Sequence, residues 1–341
     1  MKRPFRRIAP ALLILALALD ARAGTPATFA DVAGKKPDVT IVVTDSGLGG
    51  LSVAADLAAR LPASGIVRSV RIVFVNAEPD VAFGYNDMKL EVDKVRVFDA
   101  ALSVMETRYK PDLILIACNT LSVVYPGTTH AKSGGTETVG IVGLGADLIA
   151  REIAGKKDVA VVIFATKTTI GSEAHQKLLI EKGVAGDRIV GQACHRLVGA
   201  IERDVGSDET VAYVRKFVAE AVSRLPEKHG PIVASLNCTH YGYVRSLWQE
   251  AFASLGYPGV KILDPNSLMT DVVLREGGSK HYPETKVTVE VVSKVPISSE
   301  TQTNLGALLR NVSPLTAAAL AHYRYDPNLF TAAVDPSAVV R

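Results

Sequence analysis

The sequence predicts an α/β protein built from two pseudo-symmetric α/β domains with mainly parallel sheets. Short β-branched runs alternate with longer segments of helical periodicity, which is typical of this class. Most of the strand candidates are continuous apolar runs, as in parallel strands that helices cover on both faces. With 341 residues, at about 100–200 residues per domain, two domains are expected.

The elements follow one another in this alternating order from the first apolar run onward. Strands are predicted at residues 39–44, 70–75, 113–116, 138–142, 159–164, 188–191, 232–235, 261–263 and 287–292. Helices are predicted from apolar spacing at residues 50–59, 90–109, 145–154, 172–182, 210–224, 243–255 and 302–309.

An internal repeat connects the two halves. The segment VVIFATKTTIGS (161–172) aligns with IVVTDSGLGGLS (41–52). Asp45 precedes Cys118 by 73 positions, and Ala165 precedes Cys238 by the same 73 positions. We interpret this as a duplicated α/β unit. Ligands of such sheets bind at the carboxyl ends of the strands, so two facing halves would place both cysteines in one cleft.

The first 23 residues have the pattern of a secretory signal peptide. Four basic residues, Lys2, Arg3, Arg6 and Arg7, precede a short apolar run and the small residues that end at Ala23. An uncleaved anchor is the alternative, but the run is shorter than the roughly 20 residues that span a bilayer. We therefore expect cleavage after Ala23 and export, most simply to the periplasm.

Removal of this segment changes the charge balance. The whole chain has 38 basic and 35 acidic residues, a formal charge of +3. The segment 24–341 has 33 basic and 34 acidic residues. We expect no nucleic-acid partner and no membrane attachment after cleavage.

Three cysteines, Cys118, Cys194 and Cys238, are too few for a disulfide framework. Cys118 and Cys238 each follow an apolar strand and precede polar residues that can open a helix. Helix N-termini lower the pKa of a thiol, so both positions suggest reactive thiols. A small buried apolar role is the alternative, which we favour for Cys194. No spacing typical of metal ligands appears, and no metal is expected.

A glycine-rich turn, DSGLGG (45–50), follows the first strand and precedes a helix. Its backbone N–H groups could bind a carboxylate or phosphate, although its spacing matches neither dinucleotide nor P-loop motifs. The alternative is an ordinary strand-to-helix turn capped by Asp45 or Ser46.

Four motifs in order resemble the glutamate racemase family, among the cofactor-independent aspartate/glutamate racemases. They are DSGLGGLS (45–52), ACNTLS (117–122), ACHRLVGAIE (193–202) and NCTHYG (237–242). The resemblance extends from about residue 39 to about residue 309. It implies an isomerase without pyridoxal phosphate, metal or other cofactor, with its active site between the two domains.

The resemblance also implies roles for individual residues. Cys118 would deprotonate the D-enantiomer and Cys238 the L-enantiomer, assisted by Asp45 and His240 respectively. Inversion at Cα requires a proton donor and a proton acceptor on opposite faces, which two half-sites supply. The substrate-binding residues implied are Ser46, Phe83, Gly84, Asn119, Thr120, Thr166, Thr168 and Thr239.

The resemblance gives the domain boundaries that we expect. The first domain would comprise residues 38–139 and 262–310, the second residues 140–261, and a C-terminal extension residues 311–341. The partner expected is a small amino-acid substrate, and a homodimer stays open. Departures from the family pattern at Ala82, His195 and Gly242 lie in the expected cleft wall.

The substrate and the catalytic competence stay open at this point. Glutamate is the first candidate, and aspartate or another amino acid is the alternative. A periplasmic two-lobed binding protein that kept the fold without turnover is a second class. A one-sided lyase or decarboxylase is a third, against which the two cysteines argue.

Overall fold

Two separate parallel sheets organise the part of the chain that the computed structural model describes, residues 36–275 and 280–340. The predicted signal peptide lies outside these residues. The strands are β1 (Asp38–Asp45), β2 (Ser69–Asn76), β3 (Leu113–Ile116), β4 (Thr138–Gly140), β5 (Ala160–Ala165), β6 (Ile189–Ala193), β7 (Ile232–Asn237), β8 (Lys261–Leu263), β9 (Lys286–Ser293) and β10 (Arg324–Tyr325).

The order of the strands repeats between the sheets. The first sheet has the order β10-β9-β2-β1-β3-β4, and the second has the order β6-β5-β7-β8. Strands β2-β1-β3-β4 therefore correspond to β6-β5-β7-β8, one for one. All ladders between these strands are parallel. The α/β class and the duplicated unit predicted from the sequence are confirmed.

Helices cover both faces of each sheet. They are α1 (Leu51–Ser64), α2 (Glu91–Val104), α3 (Asn119–Val124), α4 (Thr129–Ser133), α5 (Ile141–Ile153), α6 (Lys167–Gly171), α7 (Ala174–Glu181), α8 (Leu197–Arg203), α9 (Asp208–Val222), α10 (Arg245–Ser254), α11 (Asn266–Arg275), α12 (Ser299–Arg310) and α13 (Pro314–Ala321). The start of helix α9 is stabilised by its local sequence. Ser207 accepts a hydrogen bond from Thr210 N, and two acidic residues occupy the first turn.

Some predicted elements end elsewhere. The strand predicted at 138–142 stops at Gly140, because Ile141 already begins α5. The helix predicted at 172–182 begins only at Ala174, because Glu173, whose φ of 57° is left-handed, separates α6 from α7. The helix predicted at 90–109 continues beyond α2 as a π-helical turn, Met105–Tyr109.

The described residues also show how the predicted segments are distributed between the sheets. The predicted domain boundary between residues 261 and 262 falls within strand β8. All of β8 lies in the second sheet. From the predicted C-terminal extension, α13 packs in the core of the first sheet and β10 pairs with β9. The domain boundaries themselves stay predictions. No helix among the described residues is both long and apolar enough to cross a membrane.

Candidate active site

The carboxyl ends of the two sheets face one cavity of about 170 Å³. Cys118 follows β3 of the first sheet, and Cys238 follows β7 of the second sheet. Both cysteines line the cavity, and each is only 5% exposed. The fold thus brings together two thiols that are 120 positions apart in the sequence.

Cys118 is the N-cap residue of α3, as the sequence predicts. Its Sγ accepts a hydrogen bond from Leu121 N at 3.5 Å and lies 3.1 Å from Ser46 Oγ. The expected lowering of its pKa is wrong. Burial raises the pKa of Cys118 well above its ordinary value, and the charge of Asp45 raises it further, against these hydrogen bonds. The thiol is therefore protonated in this closed site.

Cys238 has a different local environment from the one predicted. No α-helix begins beside it, because a 3₁₀ turn, Tyr241–Val244, precedes α10. Its partner is instead His240, whose Nδ1 lies 3.8 Å from Cys238 Sγ. Chemically, this contact connects the sulfur to an imidazole, a group that can donate and accept a proton.

His240 is held by a buried carboxylate. Its Nε2 lies 2.7 Å from Glu202 Oε1, and Leu48 N donates to the same oxygen at 3.1 Å. Burial alone would lower the pKa of His240, but its hydrogen bonds to Cys238 and Glu202 outweigh burial and raise that pKa well above its ordinary value. Burial opposes ionisation of Glu202 too, yet His240 holds the pKa of Glu202 below its ordinary value. The pair is an imidazolium and a carboxylate.

Asp45 connects the two halves of the site. Its Oδ2 accepts a hydrogen bond from Thr239 Oγ1 at 2.7 Å, across the cleft from the second sheet. Burial raises the pKa of Asp45, although the charge of His240 and the hydrogen bonds from Thr239 and Cys118 act in the opposite direction. A carboxylate of raised pKa beside Cys118 is a stronger base than one in water.

The structure brings most of the predicted site residues into this one cavity. The predicted residues that line it are Asp45, Ser46, Gly84, Cys118, Asn119, Thr120, Thr166, Cys238, Thr239 and His240. Phe83 does not line it and packs on the apolar cluster beside β2 and β3. Thr168 also lies outside it, where its Oγ1 accepts a hydrogen bond from Lys94 Nζ at 2.7 Å.

Two asparagines present unused polar atoms to the cavity. Neither side-chain atom of Asn119, Nδ2 or Oδ1, has a hydrogen-bond partner within the described chain, and the same holds for Asn237 Oδ1. Buried polar groups are normally paired, since an unpaired one costs about 1–3 kcal/mol. These atoms are therefore available to a polar ligand.

The glycine-rich turn before α1 serves close packing. A Cβ on Gly49 would lie 2.3 Å from Thr239 Oγ1, and one on Gly50 would lie 2.9 Å from Asp45 Oδ2. The turn does bind a carboxylate through a backbone N–H group, but that carboxylate belongs to Glu202. Gly49 therefore allows the second half of the site to approach the first, and Gly50 leaves space for the Asp45 side chain.

Sequence reasoning missed several residues of the site, of which four bear on its chemistry. Glu202, Glu78 and Tyr85 approach or line the cavity, and Asn237 precedes Cys238. Glu202 is the last residue of the motif at 193–202. Its place in that motif is the sequence feature from which its role in the site could have been predicted. Glu78 and Tyr85 lie in the β2–α2 connection, whose path the local sequence does not reveal.

The remaining candidates lie in the core. Cys194 is 3% exposed and packs in the apolar cluster of the second sheet, as predicted. His175 is buried, its Nε2 accepts a hydrogen bond from Asn237 Nδ2 at 2.8 Å, and burial lowers its pKa to about 4. No group of three or more metal-ligating side chains comes together anywhere in residues 36–275 and 280–340.

Comparison with known proteins connects this geometry to a class. No protein-family model matches the chain. It is 30% identical over 230 residues to a glutamate racemase from Herpetosiphon aurantiacus, covering 67% of this chain and 80% of that protein. It is 25% identical over 268 residues to one from Chlorobaculum tepidum, covering 76% and 89%.

Solved structures share the fold. A glutamate racemase from Bacillus anthracis has a TM-score of 0.58 at 21% identity, covering 80% of this chain and 94% of that chain. One from Francisella tularensis, in complex with D-glutamate, has a TM-score of 0.58 at 18% identity, covering 81% and 95%.

Fold and sequence together define an amino-acid racemase, which is an isomerase. Within that class, the chain belongs to the glutamate racemase family.

Proposed function

We propose that this protein interconverts L- and D-glutamate by moving the Cα proton between two thiols, Cys118 and Cys238. The observation that carries this proposal is their position at the ends of two different sheets and on the wall of one cavity. The relatives in sequence are glutamate racemases, which favours glutamate over aspartate or another amino acid as substrate.

On the first side, Asp45 takes the proton of the Cys118 thiol, which leaves a thiolate. That thiolate removes the Cα proton of the D-enantiomer, so the Cα–H bond breaks and an S–H bond forms. The electron pair stays on Cα as a carbanion conjugated with the α-carboxylate. The raised pKa of Asp45 suits it to accept the proton.

On the second side, the Cys238 thiol gives its proton to the opposite face of the carbanion, which forms the L-enantiomer. His240, held in its charged form by Glu202, then returns a proton to Cys238 Sγ across the 3.8 Å contact. One turnover thus leaves a proton on Asp45 and removes one from His240, and proton exchange with solvent returns both groups to their starting forms. The reverse reaction uses the same groups in the opposite order. Nothing is oxidised or reduced.

Substrate binding uses the polar groups that surround the thiols. The unpartnered atoms of Asn119 and Asn237 supply donors and acceptors for the α-carboxylate and the ammonium group. Ser46 and Thr239 lie on opposite sides of the cleft, each in contact with a catalytic residue. Such preorganised contacts both position Cα and stabilise the developing negative charge.

The test is racemisation in D₂O. In the first turnover, the two-thiol route places solvent deuterium on Cα of the product enantiomer and leaves recovered substrate unlabelled. Cys118→Ser and Cys238→Ser should each lose about 10²–10⁴-fold in kcat. Chiral chromatography with mass spectrometry measures both quantities.

Cys194→Ala is the matched control, because this thiol lies in the core and should be dispensable for racemisation. Absence of exchange in reduced, folded wild-type protein would refute the racemase proposal. Binding of glutamate without exchange would instead indicate a binding protein.

We also infer that residues 1–23 direct export and are removed. The basic residues before the apolar run and the small residues up to Ala23 support this inference. Mass spectrometry of the mature protein should find Gly24 as its first residue. A full-length chain in the cytoplasmic fraction would contradict export.

A further inference from the structure

Two carboxyl groups on the cavity wall take no part in the proposed proton transfers, Glu78 and Asp87. Asp87 is already used locally, because its Oδ2 accepts a hydrogen bond from Gly84 N at 2.8 Å. Glu78 follows β2 and is anchored by its backbone, whose N–H donates to Asn76 Oδ1 at 3.0 Å. Among the described residues, no basic side chain forms a salt bridge with Glu78.

The surroundings of Glu78 favour its neutral form. Burial is the main cause, and the Glu202 and Asp45 carboxylates act in the same direction, while Asn76 and the His240 charge oppose them. Together they raise the pKa of Glu78 to about 8. At neutral pH this side chain is a carboxylic acid, which can donate one hydrogen bond.

The rest of the cavity explains why such a donor matters. No lysine or arginine is among the described residues that line the cavity, and the charge of His240 is balanced by Glu202. A side-chain carboxylate entering a site that already holds Asp45 and Asp87 would be repelled unless donors meet it. We propose that Glu78 determines specificity by donating a hydrogen bond from its protonated carboxyl group to the side-chain carboxylate of a dicarboxylic amino acid.

This inference rests on the proposed function and adds a pH dependence to it. Above its pKa, Glu78 becomes a carboxylate and repels the substrate carboxylate. The affinity for glutamate relative to glutamine should then fall about tenfold per pH unit above the pKa of about 8. Glutamine is the appropriate reference, because its ammonium and α-carboxylate groups titrate as those of glutamate do, while its side chain is uncharged.

The experiment is calorimetric titration with equilibrated DL-glutamate and DL-glutamine, so that no net reaction contributes heat. It is run from two pH units below to two above the Glu78 pKa of about 8, in buffers of different ionisation enthalpy. Wild-type protein should take up protons on binding glutamate near that pH. Glu78→Gln keeps a donor and should bind glutamate with neither proton uptake nor a pH-dependent affinity ratio.

Glu250→Gln is the matched control, since Glu250 is exposed on α10, and it should behave as wild type. Thermal unfolding verifies that both variants fold. The inference is overturned if Glu78→Gln keeps the wild-type pH profile, or if glutamate and glutamine respond equally to pH. It is overturned as well if neither amino acid binds. If Cα exchange persists while the affinity ratio is independent of pH, only this inference fails and the racemase proposal stands.

Discussion

At the scale of the residue, the two thiols differ in the polar groups that surround their sulfur atoms. Cys118 has a hydroxyl and a backbone N–H beside its sulfur, with Asp45 as the nearby base. Cys238 has His240, and behind it Glu202. The duplicated fold therefore supplies equivalent positions for the sulfurs, while the groups that would carry protons in the proposed mechanism are chemically different. The two directions of the reaction should respond differently to mutation.

Glu202→Gln tests this asymmetry. Glu202 keeps His240 charged, so its loss should lower the pKa of His240 and shift the alkaline limb of activity toward lower pH. A charge-assisted hydrogen bond contributes about 1.5–3 kcal/mol, so kcat should fall about ten- to a hundredfold, most strongly when L-glutamate is formed. Circular dichroism assays started from each enantiomer across pH measure this. Glu209→Gln, on the exposed surface, is the control.

The same pair has a defined effect on stability. The raised pKa of His240 contributes stability that is complete below its unfolded value of 6.5 and is lost as pH rises through the folded value. The lowered pKa of Glu202 contributes stability above its unfolded value of 4.5, which is lost as pH falls through the folded value. Equal Tm values for wild type and Glu202→Gln between these limits would contradict an ion pair.

At the scale of the element, the sequence predicted the sheets better than the site. Continuous apolar runs identified strands such as β1 and β7, because buried parallel strands leave little room for polar residues. Short helices such as α4 and α8 were missed, since five or seven residues are too few to show a helical apolar periodicity. The thiol environment was predicted wrongly for Cys118 because desolvation depends on long-range packing. Motif order nevertheless brought ten predicted residues to one cavity.

Gly49→Ala tests the turn between β1 and α1. The added Cβ would lie 2.3 Å from Thr239 Oγ1 and 2.5 Å from His240 Nδ1, so these side chains must move. Overpacking of this kind costs about 1–3 kcal/mol of stability, and kcat should fall because both displaced groups belong to the site. Gly143→Ala in α5 is the control, because nothing lies within 4 Å of its Cβ. Unchanged kcat in Gly49→Ala would contradict the close approach.

At the scale of the whole molecule, hydrogen bonds hold the two halves together around the cavity. Thr120 Oγ1 lies 2.7 Å from Thr166 Oγ1, and Lys94 Nζ donates to Thr168 Oγ1 at 2.7 Å. Thr168 N also donates to Asn86 Oδ1 at 3.0 Å. Thr168 was expected to bind substrate, and in the structure its hydrogen bonds to Lys94 and Asn86 cross the cleft. A substrate must enter through a cleft that these bonds keep closed.

Thr168→Val separates these two roles. Valine keeps the shape and the backbone bond to Asn86 but removes the acceptor for Lys94. One net hydrogen bond is worth about 1 kcal/mol, so KM for both enantiomers should change about fivefold with a smaller change in kcat. Small-angle X-ray scattering should show a larger radius of gyration without substrate, which saturating glutamate restores. Thr303→Val, whose hydroxyl bonds within its own helix, should leave both measurements unchanged. A large loss of kcat with an unaltered radius of gyration would instead indicate that Thr168 contacts the substrate.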